Sequence, residues 1–178
     1  MNTHKLKFTL LQQEIINLLS IKTGTKLNQR RISILLKVSP TAVSKSLIKL
    51  KNHKIIQLEK DKFSKILSIS LNFENPKVQY LKRIENIKMI YESELAEFLY
   101  ESFPGSRIIL FGSYSRGEDT ITSDVDIAIV KSKEKNINLI KYEEMLERKI
   151  NLNFYKDLNK LDINLKANIE RGIDLWFI

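Results

Sequence analysis

The sequence predicts two domains: a basic N-terminal domain of three helices and a β-hairpin, and a C-terminal α/β domain with a small mixed sheet. Apolar residues recur at helical spacing in the first part of the chain and then alternate in two short runs. From Arg107 onward, strand and helix patterns take turns. Lys and Arg number 14 against 4 Asp and Glu in residues 1–75, but 16 against 17 in residues 76–178, so the net charges are +10 and −1.

The composition narrows the class of protein. An apolar fraction of 43% over 178 residues is ordinary for a globular chain. The absence of cysteine excludes disulfides and thiolate zinc sites, and the two histidines, His4 and His53, lie too far apart in sequence to suggest a histidine-based site. No apolar run approaches the ~20 residues of a membrane span, and no signal peptide is visible. We therefore expect a cytoplasmic protein without a membrane partner.

The N-terminal elements follow from capping residues and periodicity. Three helices are predicted, each after a residue whose side chain can cap it: Leu10–Ser20 after Thr9, Gln29–Lys37 after Asn28, and Pro40–Asn52 after Ser39. Two β-suited runs, Ile55–Glu59 and Lys65–Leu71, then flank a polar turn and predict a hairpin.

This order of elements resembles a winged helix-turn-helix domain, whose third helix lies in the major groove of duplex DNA. The resemblance implies that residues 1–75 bind DNA, and their net charge of +10 agrees with a polyanionic partner. The candidate DNA contacts are polar and basic residues of the second helix, the third helix and the wing: Arg30, Arg31, Thr41, Ser44, Lys45, Lys49 and Lys62. A winged helix that serves protein contacts is the alternative.

Residues 76–102 carry one long helical pattern between the two domains. We interpret this segment as a connecting helix that also packs on the C-terminal sheet. A dimerisation helix is the alternative, because winged-helix regulators bind two half-sites as dimers, so a homodimer is a candidate assembly. Pro104 and Gly105 end the helical pattern.

The segment that suggests chemistry begins with the apolar run Ile108–Phe111, a candidate buried strand. Gly112 and Ser113 follow, and Asp124 and Asp126 come after ten further residues. Alternation with apolar neighbours places both carboxylates on one face of a strand. Paired carboxylates are costly without a cation, and Mg²⁺ binds carboxylate oxygens together with substrate phosphates. Since glycine lets a phosphate approach the backbone closely, the pattern indicates metal-assisted transfer of a nucleotidyl group.

The same residues resemble the signature of the DNA polymerase β-like nucleotidyltransferases, and the short domain resembles their minimal branch. The resemblance implies that Gly112 and Ser113 hold the triphosphate of a nucleotide such as ATP. It implies that Asp124 and Asp126 bind Mg²⁺ and carry the catalysis. Arg116 is a candidate for supporting the phosphate charge, or alternatively a surface ion-pair partner.

The remaining pattern completes an α/β nucleotidyltransferase-like domain over residues 103–178. Its later elements are predicted as a helix, a strand, a helix and a strand: Asn136–Arg148, Lys149–Tyr155, Leu158–Arg171 and Ile173–Ile178. From Arg107 the order is β-α-β-α-β-α-β, which predicts helices packed on a small mixed sheet.

The chain departs from the family pattern at one position. The family usually has a third carboxylate on the strand that here is Lys149–Tyr155, and its polar face carries Asn151 and Asn153 instead. We align Asn151 with the third metal ligand. A neutral amide binds a cation less well than a carboxylate, so the resemblance implies weak binding of the metal that activates the acceptor.

Two functions therefore stand as hypotheses. In the first, the protein transfers AMP from ATP to a hydroxyl of a protein or small molecule; minimal members of the family often act as antitoxins on a small helical partner of the HEPN type. In the second, the protein is a DNA-binding regulator whose transferase-like domain senses nucleotide or binds a partner.

Overall fold

The structure is a computed structural model that describes residues 8–60 and 66–176. The chain forms two compact units, Met1–Val78 and Gln79–Ile178. None of the helices in the described ranges combines the length and the hydropathy that a membrane span needs.

The first unit contains three helices and a hairpin, as predicted. The elements are α1 (Leu10–Ile21), α2 (Gln29–Leu35), α3 (Pro40–Asn52), β1 (Ile56–Lys60) and β2 (Leu67–Leu71). The three predicted N-caps are confirmed, because the side chains of Thr9, Asn28 and Ser39 each accept a hydrogen bond from a backbone N–H in the first turn. The second helix ends two residues earlier than its pattern predicted.

The hairpin closes a winged-helix fold. β1 and β2 pair antiparallel, with Ile56 opposite Leu71, and Ile69 donates its N–H to the Leu27 carbonyl at 2.7 Å. The helices and the hairpin bury one set of aliphatic side chains that includes Ile15, Ile32, Val43, Leu47, Leu50, Ile55 and Ile69. The winged-helix fold predicted for this part of the chain is confirmed.

The long helix predicted for residues 76–102 is interrupted, which corrects the sequence prediction. α4 spans Pro76–Glu92 and α5 spans Leu95–Ser102. Between them Glu94 adopts a left-handed conformation with φ of 64°. The break turns the chain so that Leu95 and Leu99 become fully buried in the core of the second unit, which a continuous pattern in sequence could not reveal.

The second unit contains a four-stranded mixed sheet in the order β5-β4-β3-β6. The strands are β3 (Arg107–Phe111), β4 (Val125–Val130), β5 (Ile150–Tyr155) and β6 (Ile173–Asp174), and the helices between them are α6 (Gly112–Arg116), α7 (Ile140–Leu146) and α8 (Ile163–Glu170). β3 pairs antiparallel with β4 and β6, whereas β4 and β5 are parallel. The predicted order of strands and helices is confirmed.

Three of these elements are shorter than predicted. α7 begins four residues later than expected, and Ile140 and Met145 on it are 61% and 44% exposed. The helix predicted from Leu158 divides into a 3₁₀ turn and α8, because Asp162 caps a new start. The last strand is described only as Ile173–Asp174, and residues 177–178 lie outside the described ranges.

The two faces of the sheet have different cores. One face presents Ile108, Leu110 and the odd-numbered residues of β4 to α5 and α7. The other presents Ile109, Phe111, Ala128 and Val130 to residues of the 3₁₀ turn and α8. Alternation along β4 therefore places Asp126 on the α8 face, at the end of the sheet where β3 leads into α6.

Candidate functional site

The two aspartates of the motif converge on one asparagine. Asp126 on β4 lies directly opposite Asn151 on the parallel strand β5. The Asn151 amide nitrogen lies 3.0 Å from Asp124 Oδ2 and 3.5 Å from Asp126 Oδ1. Asp124 and Asn151 are exposed and Asp126 is half-buried, so the group opens to solvent. The structure thus brings together the two predicted carboxylates and the predicted third position.

The backbone of Gly112 lies against the Asp126 carboxylate of this site. Its φ is 74°, and a Cβ built there would lie 2.6 Å from Asp126 Oδ2. The backbone at the end of β3 therefore approaches the Asp126 carboxylate more closely than any residue with a side chain could. Residue 113 follows in the first turn of α6, and the Ser113 carbonyl accepts the N–H of Glu118 at 3.0 Å, which folds the loop back towards the helix.

Arg116 has two partners in the structure. Its Nε donates to Glu118 at 2.7 Å and its Nη1 donates to Asn168 on α8 at 3.0 Å. The ion-pair alternative of the sequence analysis is therefore present, and these contacts use two of the five guanidinium N–H donors. A cavity of about 470 Å³ beside Arg116 is lined by residues of α6 and α8.

Beneath α6 lies a buried charged cluster that the sequence analysis missed. The Asp119 carboxylate, 1% exposed, accepts hydrogen bonds from Lys82 Nζ, from Asn86 Nδ2 at 2.7 Å and from Arg148 Nη2 at 3.1 Å. Asn86 also donates to the Tyr114 carbonyl of α6 at 2.9 Å. We call Lys82, Asn86, Asp119 and Arg148 the Asp119 cluster; it ties α4 to the loop before Asp124 and to the residues before β5.

Burial changes the acid–base properties around this cluster. Desolvation lowers the pKa of Lys82, although the neighbouring Asp119 carboxylate opposes that shift. Desolvation raises the pKa of the Tyr114 phenol, and the Asp119 charge raises it further. Separating Asp119 from its two buried cations is costly, because it leaves uncompensated charges in the interior. The Asp119 cluster therefore holds the loop before Asp124 in one conformation.

Tyr155 is a second residue that the sequence analysis did not select. It lies two pleats beyond Asn151 on β5, and burial followed by the Asp126 charge raises the pKa of its phenol. The sequence contained a signal for Tyr155, because the alternation that places Asn151 and Asn153 on the polar face of β5 also places Tyr155 there.

A second cavity, of about 500 Å³, borders the site at Asp124. Its lining includes Thr122, Glu144 and Lys149, from the loop before β4 and from the region of α7. The loop itself is organised by mutual hydrogen bonds, since the Thr120 N–H donates to Ser123 Oγ and the Ser123 N–H donates to the Thr120 carbonyl, both at 3.0 Å. The cavity gives a molecule access to the exposed side of Asp124.

The oxygen ligands at this site are of the type that a hard divalent cation binds, but they are few. Asp124 and Asp126 offer carboxylate oxygens at one point, and Asn151 offers one amide oxygen if its side chain rotates. Among the described residues, no cluster of three or more His, Cys, Asp or Glu side chains forms a metal site. The aspartates fit Mg²⁺ that arrives with phosphate ligands of its own.

The predicted DNA-binding residues lie in the other unit. Arg30 and Arg31 are exposed at the start of α2, Thr41, Lys45 and Lys49 are exposed on α3, and Ser44 is half-buried there. Lys62 lies outside the described residues. The exposed basic residues therefore belong to two consecutive helices of the winged-helix fold.

Residues 92–172 match the family model described as a nucleotidyltransferase domain. This part of the chain is a nucleotidyltransferase domain. The match contains both aspartates, Gly112 and the β5 strand, and it begins at the end of α4. No curated protein matches the chain.

Solved structures of two proteins are similar to part of the chain. A mutant of ZitR from Lactococcus lactis has 22% identity, covering 58% of this chain and 67% of that chain, with a TM-score of 0.44. The adhesin competence repressor AdcR from Streptococcus pyogenes has 20% identity, covering 58% of this chain and 72% of that chain, with a TM-score of 0.45. Wild-type ZitR in complex with DNA has 22% identity, covering 57% and 64%, with a TM-score of 0.41.

Proposed function

We propose that the nucleotidyltransferase domain binds Mg²⁺ with a nucleoside triphosphate, ATP above all, and transfers AMP to a hydroxyl group. The observation that supports this proposal is the convergence of Asp124 and Asp126 beside the backbone of Gly112. In the transfer, the hydroxyl oxygen bonds to the α-phosphorus and its proton passes to solvent, while the bond from the α-phosphorus to the bridging oxygen of the β-phosphate breaks and pyrophosphate leaves.

Each residue of the site has a role in this proposal. Mg²⁺, when bound, supplies charge stabilisation on the phosphate oxygens. Asp124 and Asp126 hold the cation, and Gly112 and Ser113 leave room for the triphosphate against the backbone. The cavity beside Asp124 receives the acceptor, which is a small molecule or a side chain of a protein partner; a small helical HEPN-type protein in a toxin–antitoxin pair is the partner that the family resemblance favours.

We also propose that the winged-helix unit binds duplex DNA through α3. Its fold, the +10 charge of residues 1–75 and the exposed Lys45 and Lys49 support this proposal. A DNA-binding regulator that binds nucleotide without rapid transfer is the second candidate function. The neutral Asn151 beside the two aspartates favours it, because the site then has less charge for a metal that activates the acceptor.

Nucleotide binding is tested by calorimetry with Mg²⁺ and ATP. Asp124→Ala and Asp126→Ala should each weaken binding about tenfold or more, because each removes a charged ligand. Glu134→Ala, which removes an exposed carboxylate from a loop of the same unit, should bind like the wild type. Equal binding in all four proteins would contradict the proposed site. Transfer is then tested with ATP labelled at the α-phosphate and, separately, at the γ-phosphate; only the α-label should reach the acceptor.

DNA binding is tested by a salt titration with duplex DNA. Lys45→Ala with Lys49→Ala should weaken binding and reduce the salt dependence by about one unit of slope for each phosphate that the variant no longer neutralises. Lys133→Ala with Lys135→Ala removes the same charge from the second unit and is the matched control. If both double variants behave alike, α3 is not the helix that contacts DNA.

A further inference from the structure

Asn151 lies where a cation would bind between the two aspartates. Its amide nitrogen lies within 3.0 Å of one carboxylate and 3.5 Å of the other. The reverse orientation would direct the amide oxygen at two negatively charged groups, so the N–H groups face the carboxylates. The amide thus bridges two like charges that would otherwise repel each other.

The same amide cannot bridge the carboxylates and bind metal at once. A cation between Asp124 and Asp126 needs an oxygen from Asn151, so the side chain must rotate and give up both hydrogen bonds. After rotation it contributes a dipole and no charge. The site therefore presents a protein charge of −2, which neutralises a single divalent cation.

The two other carboxylates of the preceding loop already have cationic partners, and Glu118 is paired with Arg116. Asp119 is fully buried and already holds two cations, Lys82 and Arg148. The loop therefore adds no negative charge for a second cation beside Asp124 and Asp126.

We propose that Asn151 sets the cation stoichiometry of this site: it holds Asp124 and Asp126 together without metal, and it limits the site to one divalent cation that enters with the nucleotide. The proposal rests on the proposed nucleotide binding for its second part only. The first part concerns the protein without ligand and is tested independently.

The first experiment uses the full chain without nucleotide. Asn151→Asp brings three carboxylates together, so its melting temperature in EDTA should fall below that of the wild type and should recover when Mn²⁺ is added. Asn153→Asp is the matched control, because it adds the same charge two residues along the same face of β5. This control and the wild type should respond weakly to Mn²⁺. Asn151→Ala should lower the melting temperature in EDTA, and Mn²⁺ should restore less of the loss than in Asn151→Asp, because two carboxylates remain instead of three.

The second experiment counts bound Mn²⁺ by electron paramagnetic resonance, with and without a non-hydrolysable ATP analogue. The wild type should bind one Mn²⁺ per chain, only with the analogue, and Asn151→Asp should bind two. Changes outside the first ligand shell alter metal affinity about 10–100-fold, so a new charged ligand should tighten Mn²⁺ binding without nucleotide at least about tenfold.

The outcomes separate this inference from the proposed function. Two Mn²⁺ per wild-type chain, or an Asn151→Asp variant that behaves like Asn153→Asp in both experiments, would overturn the inference. If the analogue binds to neither protein, the proposed function and the one-cation claim fail together. The melting temperatures in EDTA and Mn²⁺ then decide whether Asn151 holds Asp124 and Asp126 together without metal. An Asn151→Asp chain that folds only with Mn²⁺ present supports this bridging role.

Discussion

Replacing Gly112 by alanine should damage the site more than the fold, and Gly105 provides a matched control. Both glycines have φ of 74°. A Cβ at residue 105 would meet no described atom within 4 Å, whereas a Cβ at residue 112 would lie 2.6 Å from Asp126 Oδ2. The two substitutions therefore share the backbone cost and differ only in the contact with the aspartate.

The shared cost is that of alanine in a left-handed conformation, about 1–2 kcal/mol, reduced by about 0.4–1 kcal/mol because alanine restricts the unfolded chain. At residue 112 the Asp126 carboxylate must also move by roughly 0.8 Å to reach an ordinary contact of 3.4 Å. Because the displaced atom is the end of a half-buried side chain, this overpacking costs about 1 kcal/mol more, the low end of the range for cores. Gly112→Ala should thus lower the melting temperature by several degrees beyond Gly105→Ala, since 1 kcal/mol corresponds to about 4–8 °C in a domain of this size.

The functional difference should be larger. Moving Asp126 breaks its hydrogen bond with Asn151 and displaces a proposed cation ligand, so Gly112→Ala should weaken Mg²⁺-ATP binding about tenfold or more. Gly105→Ala should leave that affinity unchanged. Melting curves and calorimetry on both variants measure the two effects. Equal losses of stability and equal nucleotide affinities would refute the reasoning, because backbone strain alone would then account for both variants.

Two further predictions concern ion pairs. Asp119→Asn leaves two buried cations without a counter-charge, so it should lower the free energy of unfolding in urea by about 3–5 kcal/mol. Asp174→Asn breaks the partly exposed pair with Arg107 and should lower it by about 1 kcal/mol or less. Similar losses in the two variants would contradict the assigned burial of Asp119. The Lys149 ammonium and a backbone N–H lower the pKa of the Glu143 carboxyl below its ordinary value of 4.5. The ionised Glu143 side chain therefore stabilises the fold above pH 4.5. This contribution is lost as the pH falls through the pKa of the folded state. The stability difference between wild type and Glu143→Gln, under about 1 kcal/mol because Lys149 is exposed, should therefore disappear on acidification; a difference that grows instead would reverse the assigned sign.

Much of the architecture was readable from the sequence because its signals are local. An N-cap side chain reaches a backbone N–H only two or three residues away, so Thr9, Asn28 and Ser39 predicted helix starts that the structure confirms. Strand alternation likewise predicted which face of β4 carries Asp126. Alternation along β5 also predicted the polar face that carries Asn151, whereas its place beside Asp126 was implied by the family resemblance.

Helix lengths were less predictable, because a periodic pattern does not record where the chain must turn to pack. The pattern of residues 77–102 is continuous, yet Glu94 takes a left-handed conformation between α4 and α5. The stretch predicted to start α7 at residue 136 enters the helix only at Ile140. In both places, packing against the sheet overrides local propensity.

The sequence by itself determined the order of the elements and the strand faces that carry Asp126 and Asn151, because these follow from periods of two and 3.6 residues. Only the tertiary structure decided that Asp119 is buried with Lys82 and Arg148, which lie 37 and 29 residues away in the chain. The sequence does not show which distant residues a charged side chain will pair with, and a charged side chain is expected at the surface. Desolvation and long-range pairing exist only once the helices have packed, and they decide how rigidly the aspartates are held.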